Sequence, residues 1–324
     1  MRINLYLAVF LLLAFPVLSH AQDSTVVAPP DTASLSGVYA ESDLFSLEDS
    51  FDSISLFLLL DSLIQASEAT SELVFRSGYK SNLTVAGRDY SADLAGITAG
   101  ASYYHYSGFY TDLYSNWNTN SDPSYYLTAM SAGYLGLIGK AFSYSGSYTL
   151  YSYNNGLDFS AGNYYPHDLS ASASLQLGKL IFGTDYSLLF GDSHVHRLSG
   201  SVTGYFKFKN VGFLDYIAIL PNASVLYGNQ SITTLALEEA TIRRIVREFG
   251  LRALRQYVQN VNVYGIMNYY LSLPVTVKKG RFRASAAFNY NIPVALPGEL
   301  YELNNTYYTS INLYYSIPFQ HYLH

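Results

Sequence analysis

From about residue 71 nearly to the end of the chain, hydrophobic and polar positions alternate with a period of two. In 169–177 the odd positions are Leu169, Ala171, Ala173, Leu175 and Leu177, and the even ones are Ser170, Ser172, Ser174 and Gln176. The stretch 198–208 places Leu198, Val202, Phe206 and Phe208 on one face, with Arg197, Ser199, Ser201, Thr203, Tyr205 and Lys207 opposite. In the last such stretch, Ile311, Leu313, Tyr315, Ile317 and Phe319 oppose Ser310, Asn312 and Ser316. Successive side chains of a strand point to opposite faces, so each stretch reads as a strand with one oily and one polar face. Twelve are predicted: 72–83, 97–106, 109–119, 125–137, 142–153, 168–177, 180–190, 197–208, 214–227, 262–277, 281–292 and 306–317. The fourth alternates poorly.

The pattern upstream is different. Residues 43–68 carry Leu44, Leu47, Phe51, Ile54 and Leu58 at roughly helical steps among Ser and acidic residues, which predicts one amphipathic helix. Residues 22–42 are polar, contain Pro29-Pro30 and read as a linker. At the start, Arg2, an apolar run from Leu5 to Leu18 and small residues at Ser19 and Ala21 predict a signal peptide over 1–21. The expected organisation is therefore signal peptide 1–21, acidic linker and helix 22–70, and strands over 71–324.

Connections between the predicted strands alternate in length. Tight turns are expected at Ser107-Gly108, Gly139-Lys140-Ala141, Gly178-Lys179, Lys209-Asn210-Val211-Gly212 and Lys278-Lys279-Gly280, with longer loops at 84–95, 154–167 and 228–261. Short turns on one side and long loops on the other, with an even strand count, predict a closed antiparallel transmembrane β-barrel, all-β, whose short side is periplasmic. The longest loop has helical periodicity from Leu235 to Val258, so a helical extracellular loop is expected, broken near Gly250.

Composition sharpens this picture. There are 33 Tyr and 18 Phe in 324 residues, charged residues make up 13%, and the mean hydropathy is +0.09. Outward and inward faces of a barrel average to near-neutral hydropathy, and a soluble domain normally carries about twice that charge. No stretch beyond the N-terminus reaches the roughly 20 apolar residues a spanning helix needs. With no cysteine, the chain has neither disulfides nor a lipidated cysteine. Ten Asp and Glu and not one Lys or Arg lie in 22–72, whereas 14 acids and 17 bases follow from Leu73. The basic residues form no tract interleaved with aromatics, so nucleic acid is not expected as a partner.

The stretches Ser77-Gly-Tyr-Lys-Ser-Asn82, Gly87-Arg-Asp-Tyr90, Ser102-Tyr-Tyr-His-Tyr-Ser-Gly108, Ser121-Asp-Pro123 and Leu189-Phe-Gly191 resemble an uncharacterised group of outer-membrane β-barrel proteins of the Bacteroidota type. The resemblance spans most of the strand region. It implies a Gram-negative outer-membrane location and a barrel fold, with no chemistry attached to its turn and girdle residues.

Strand parity sends Arg76, Lys80, Asn82, Asp112, Asn116, Asp185, Ser187, Arg197, Lys207, Asn268, Arg283, Asn289 and Asn291 into the lumen, with Tyr264, Tyr270 and Tyr314 beside them. Both charge signs occur, so internal ion pairs compete with an open pore, and twelve strands fall between plugged and open barrels. His105, read as the one histidine well inside a strand, is expected outward in an interfacial girdle rather than in a Ser and His hydrolase pair. His167, Asp192, His194 and His196, with Asp168 nearby, are a candidate metal set set against a plain polar loop. In the long loop, Arg243, Arg244, Arg247, Arg252 and Arg255 are expected either to plug the lumen or meet lipopolysaccharide phosphates, or to ride a solvated helix on the rim.

These readings predict a non-enzymatic, porin-like channel or transporter for a small solute, without a cofactor. The alternatives are a non-conducting structural or interaction barrel and, less favoured, a lipid-modifying enzyme. Outer-membrane lipid, lipopolysaccharide and the barrel assembly machinery are the expected partners, together with a periplasmic or surface protein. Lysines in the short turns, at Lys140, Lys179, Lys209 and Lys278-Lys279, are expected to ring the periplasmic mouth, where the acidic head could fold back or tether a partner.

Overall fold

The computed structural model of the chain describes residues 70–84, 95–119, 124–139, 141–154, 165–235, 258–299 and 303–320. The predicted signal peptide, the helix over 43–68, Lys140 and the loop arginines from Arg243 to Arg255 lie outside the described residues.

Fourteen strands run in the order β1 (Thr70–Lys80), β2 (Gly96–Tyr104), β3 (Phe109–Asn118), β4 (Tyr125–Ile138), β5 (Phe142–Tyr153), β6 (His167–Leu177), β7 (Leu180–Phe190), β8 (His194–Gly204), β9 (Phe206–Val211), β10 (Leu214–Ile219), β11 (Asn222–Leu235), β12 (Val258–Lys279), β13 (Phe282–Pro293) and β14 (Thr306–Gln320). They make twelve staves. The break at Tyr205 divides β8 from β9 in one stave, and Leu220-Pro221 divides β10 from β11 in the next. Pro221 has no N–H to give a ladder, but its carbonyl still accepts from Gly204 N–H at 2.8 Å, so the two staves stay joined across the interruption.

Every pairing is antiparallel. β1 pairs with β14 from Thr70↔Gln320 to Lys80↔Ser310, and β11 with β12, so the sheet closes on itself. Closure satisfies the backbone donors and acceptors of the strands internally, which a hydrocarbon environment demands. The short connections turn through glycines with positive φ at Gly108, Gly139, Gly178, Gly212 and Gly280. Gly108 illustrates the need: besides its φ of 97°, a Cβ there would collide with the carbonyl of Leu135.

The outer surface is apolar. Leu169, Leu177, Leu198, Leu271, Leu273, Ile311 and Leu313 are all exposed, while polar neighbours one residue away are buried or half-buried. Water would not tolerate so continuous an apolar belt, whereas lipid does. The polar side chains face the interior, and the protein is a closed, twelve-stave, membrane-type β-barrel.

Two bulges disturb the alternation. Between Asn116↔Leu127 and Trp117↔Tyr125, Tyr126 has no partner on β3, so Tyr126 and Leu127 are consecutive and both buried. This bulge and the inward Leu127, Ala129 and Leu135 explain the poor alternation of the fourth predicted strand. On β12, Met267 is the extra residue between Leu226↔Asn268 and Tyr227↔Ile266. Parity reverses beyond it. Tyr264, predicted inward, is therefore outside, 48% exposed and 6.4 Å from the His196 ring.

Strands also run past their predicted ends. β11 continues to Leu235 and β12 begins at Val258, so the two end residues of the predicted loop helix belong to strands. Lys278 and Lys279 lie in β12 and Lys209 in β9, rather than in turns.

Candidate solute conduit

The interior is built in three regions, each set by which side chains the inward parity supplies. On β5 and β6 these are serines, and opposing hydroxyls pair at Ser143–Ser174 (2.5 Å), Ser145–Ser172 (2.6 Å) and Ser147–Ser170 (2.6 Å). Small side chains paired this way hold close to the wall and leave the centre open.

On the opposite wall, large side chains alternate in a row across the strands. Lys207 Nζ lies 4.5 Å over the Tyr216 ring, and Tyr216 pairs in register with Lys278. Lys278 is opposite Arg283, Arg283 is opposite and 5.6 Å over Tyr314, and Tyr314 is opposite Arg76. The next partner is Gly100, and then Tyr114, whose ring lies 4.9 Å from the Arg76 guanidinium. Gly100 makes that contact possible, because a Cβ there would come within 2.7 Å of the Tyr114 side chain. Stacking on tyrosine faces orients each cation, worth about 0.5–2 kcal/mol per pair.

The row is anchored at its inner end by a carboxylate. Arg76 bonds Asp112 at 2.6 Å, and Ser102 donates to the other Asp112 oxygen at 2.5 Å. Asp112 is 1% exposed and Arg76 21%, so the acid is withdrawn while the cation still borders open space.

The third region is an apolar packing of Tyr114, Tyr126, Leu127, Ala129, Tyr151, Tyr153, Tyr165, Leu189 and Val195 inside the long-loop half, against β3–β8. It occupies that side of the interior. Beside it an amide and hydroxyl network links Tyr270 and Ser272 to Asn289 (2.6 and 2.7 Å), Asn268 to Asn291 (3.2 Å) and Asn291 to Thr84 (3.2 Å).

A cavity of about 390 Å³ remains, lined from every stave except β4. Arg76, Lys80, Asp185, Ser187, Arg197, Asn268 and Asn289 border it. Asp112, Asn116, Arg283 and Asn291 are buried behind or beside it, and Lys207 sits at the short-turn end. Asn82 is half-buried in the bend after β1. Arg197 is 8% exposed and donates to the Asn229 carbonyl and, at 3.0 Å, to Met267 Sδ. Its neighbour Asp185 accepts from Ser199 at 3.1 Å, which leaves the mid-level wall with one charge of each sign.

No protein-family model matches the chain, and no curated protein matches it. Among solved structures, the chain is similar to "KdgM porin" at 10% identity, with 76% of this chain and 99% of that chain covered and a TM-score of 0.43. It is similar to the NanC porin at 12% identity, covering 77% and 100%, with a TM-score of 0.39. For the outer-membrane protein OprD from Pseudomonas aeruginosa the values are 12% identity, 77% and 66% coverage, and 0.35.

The histidines sit differently from their sequence reading. β2 ends at Tyr104, so His105 belongs to the following turn, where its Nδ1 pairs with Ser107 Oγ at 2.7 Å and its ring lies 4.2 Å from Tyr106. His167, His194 and His196 are instead within strands, on the outer face at the long-loop end. Tyr148 and Tyr186 hydroxyls meet His167 and His196 Nδ1 at 2.7 and 2.8 Å, and His167 stacks on Phe190 at 5.1 Å. Asp168 points the other way and accepts from Ser187 at 2.5 Å. His167, Asp192, His194 and His196 thus form no convergent ligand set, and no such group occurs among the described residues. The three histidines belong to an aromatic girdle.

The sequence reading missed the cation–tyrosine row and the serine ladder as units. Serine at alternate positions of β5 and β6 was the available signal for the ladder. The row had none, since it depends on register across the β14–β1 closure.

Proposed function

We propose that this barrel is an outer-membrane conduit for small polar solutes, with a preference for anions. The observation that carries the reading is the cavity itself: most of its lining residues bear hydroxyl, amide or charged groups, it draws on eleven of the twelve staves, and its charged border holds Arg76, Lys80 and Arg197 against Asp185. At about 390 Å³ it has the volume of a small-molecule site rather than of a wide aqueous channel. Anion preference follows from position, because Asp112 is sequestered behind Arg76 whereas the cation remains at the border. The signal peptide read from the sequence, the apolar exterior and the short-turn rhythm support placement in the outer membrane. The arms of a planar-bilayer experiment are clear: stepwise conductance that favours anions supports the conduit, and silence from verifiably inserted protein rejects it.

A second reading has its own observation. The apolar packing from Tyr114 to Val195 fills the long-loop half beside β3–β8, as a non-conducting interaction barrel would require. That reading makes the cavity an internal polar pocket, and the same silent recording would favour it.

A further inference from the structure

The short-turn mouth collects positive charge both inside and on its rim. Lys278 has the cations Arg283 and Lys207 and the acids Glu72 and Asp215 as its electrostatic neighbours, three cations in all against two acids. Tyr205 and Tyr314, each only partly buried, supply apolar surface between these charges, and Tyr216 is buried under Lys207. On the rim, Lys179 Nζ lies 5.6 Å over the Phe206 ring, and Lys209 is exposed in β9. Asp215 at the rim is already engaged by Lys279 at 3.7 Å and by Gly280 N–H at 2.7 Å.

We infer that this mouth is a docking surface for the chain's own residues 22–69. Three observations on this protein support that occupant. The first is charge: 22–69 contains nine Asp and Glu (ten in 22–72, less Glu72) and no Lys or Arg, against a mouth in which cations outnumber acids. The second is position, since the segment joins β1 at Thr70, which pairs with Gln320 at this same end. The third is reach. A random coil of 48 residues spans about 35–40 Å root-mean-square, whereas twelve tilted strands close a ring roughly 20–25 Å across. Apolar residues such as Phe51 and Leu58 meet the tyrosines, and the acids meet Lys207, Lys278, Lys209 and Lys179. Opposite fields guide this docking and fix its side, while apolar contact supplies most of the hold.

Because the chain has no cysteine, a photoreactive label on Ser53→Cys reports on this contact alone. In the purified full-length protein, irradiation should join the label within the same chain to residues 205–216 or 276–283, mapped by mass spectrometry. Replacing Lys179, Lys207, Lys209 and Lys278 by Gln should lower that yield about fivefold; if this variant fails to assemble, raising salt to about 1 M in the wild type should do the same. Cross-links to the long loops, to lipid, to a second copy of the chain, or to nothing overturn the inference. So does a yield that is indifferent to both lysine replacement and salt. The contact is read without conduction, so a silent barrel that cross-links as expected rejects the proposed conduit and leaves the docking intact.

Discussion

The two inner walls use opposite means to present polar surface in a small barrel. Along β5 and β6, hydroxyl pairs at 2.5–2.6 Å lie close to the backbone and create room. Along β9, β10, β12–β14 and β1, long cations rest on Tyr216, Tyr314 and Tyr114, occupy space and fix the direction of charge. The difference teaches that conductance and selectivity are separable here: width is set on the serine wall, charge on the tyrosine wall. Exchanging the character of either wall tests this division.

The largest expected effect strikes the anchor of the charged wall. Asp112→Ala leaves Arg76 without its carboxylate, and Arg76→Ala leaves a 1% exposed carboxylate without its cation. Stranding one member of a buried pair costs about 3–5 kcal/mol, with Arg76→Ala at the upper end because Asp112 is the more deeply buried partner. Urea titration of the barrel in lipid vesicles should show this loss, and a midpoint unchanged from wild type would mean that water already screens the pair.

The serine wall should respond in the other currency, permeability rather than stability. Ser145→Leu with Ser172→Leu places two branched side chains into the 390 Å³ cavity. Conductance should fall roughly twofold or more while unfolding changes little, since filling space next to a lumen avoids the overpacking of a closed core. A stable variant with undiminished conductance would remove this wall from the path.

A smaller effect is expected at Tyr314→Leu. It removes a ring 5.6 Å from Arg283 and should cost about 0.5–2 kcal/mol. Ion selectivity should weaken along with stability, because Arg283 is no longer held in the row. The smallest effect lies outside both walls: Lys279→Ala breaks an exposed 3.7 Å pair with Asp215 and should change stability by no more than about 1 kcal/mol, as the same urea titration would show.

Much of this architecture could be read from residue order because a strand declares its two faces locally. Leu169 to Leu177 and Leu198 to Phe208 needed no tertiary information, and the glycines of the short turns carried their own signature. Bulges are not local in this sense. Tyr126 and Met267 are ordinary residues for a strand, and only the register of the neighbouring strands makes each one extra, which is why Tyr264 was placed on the wrong face. The Arg76–Asp112 pair was invisible for a related reason: its members are 36 residues apart on strands separated by β2, and only the register of β1, β2 and β3 brings them together. The apolar packing of the long-loop half mixed inward tyrosines and leucines into strands where parity alone anticipated polar residues.

The central claim is that the cavity conducts, and single-channel recording in a planar bilayer under a salt gradient tests it most directly. The account predicts discrete steps with a reversal potential displaced toward that of the anion, and a smaller displacement in Lys80→Gln, which neutralises one of the three cations on the cavity border. Inserted protein that passes no current, or current whose reversal potential lies toward the cation, would contradict it.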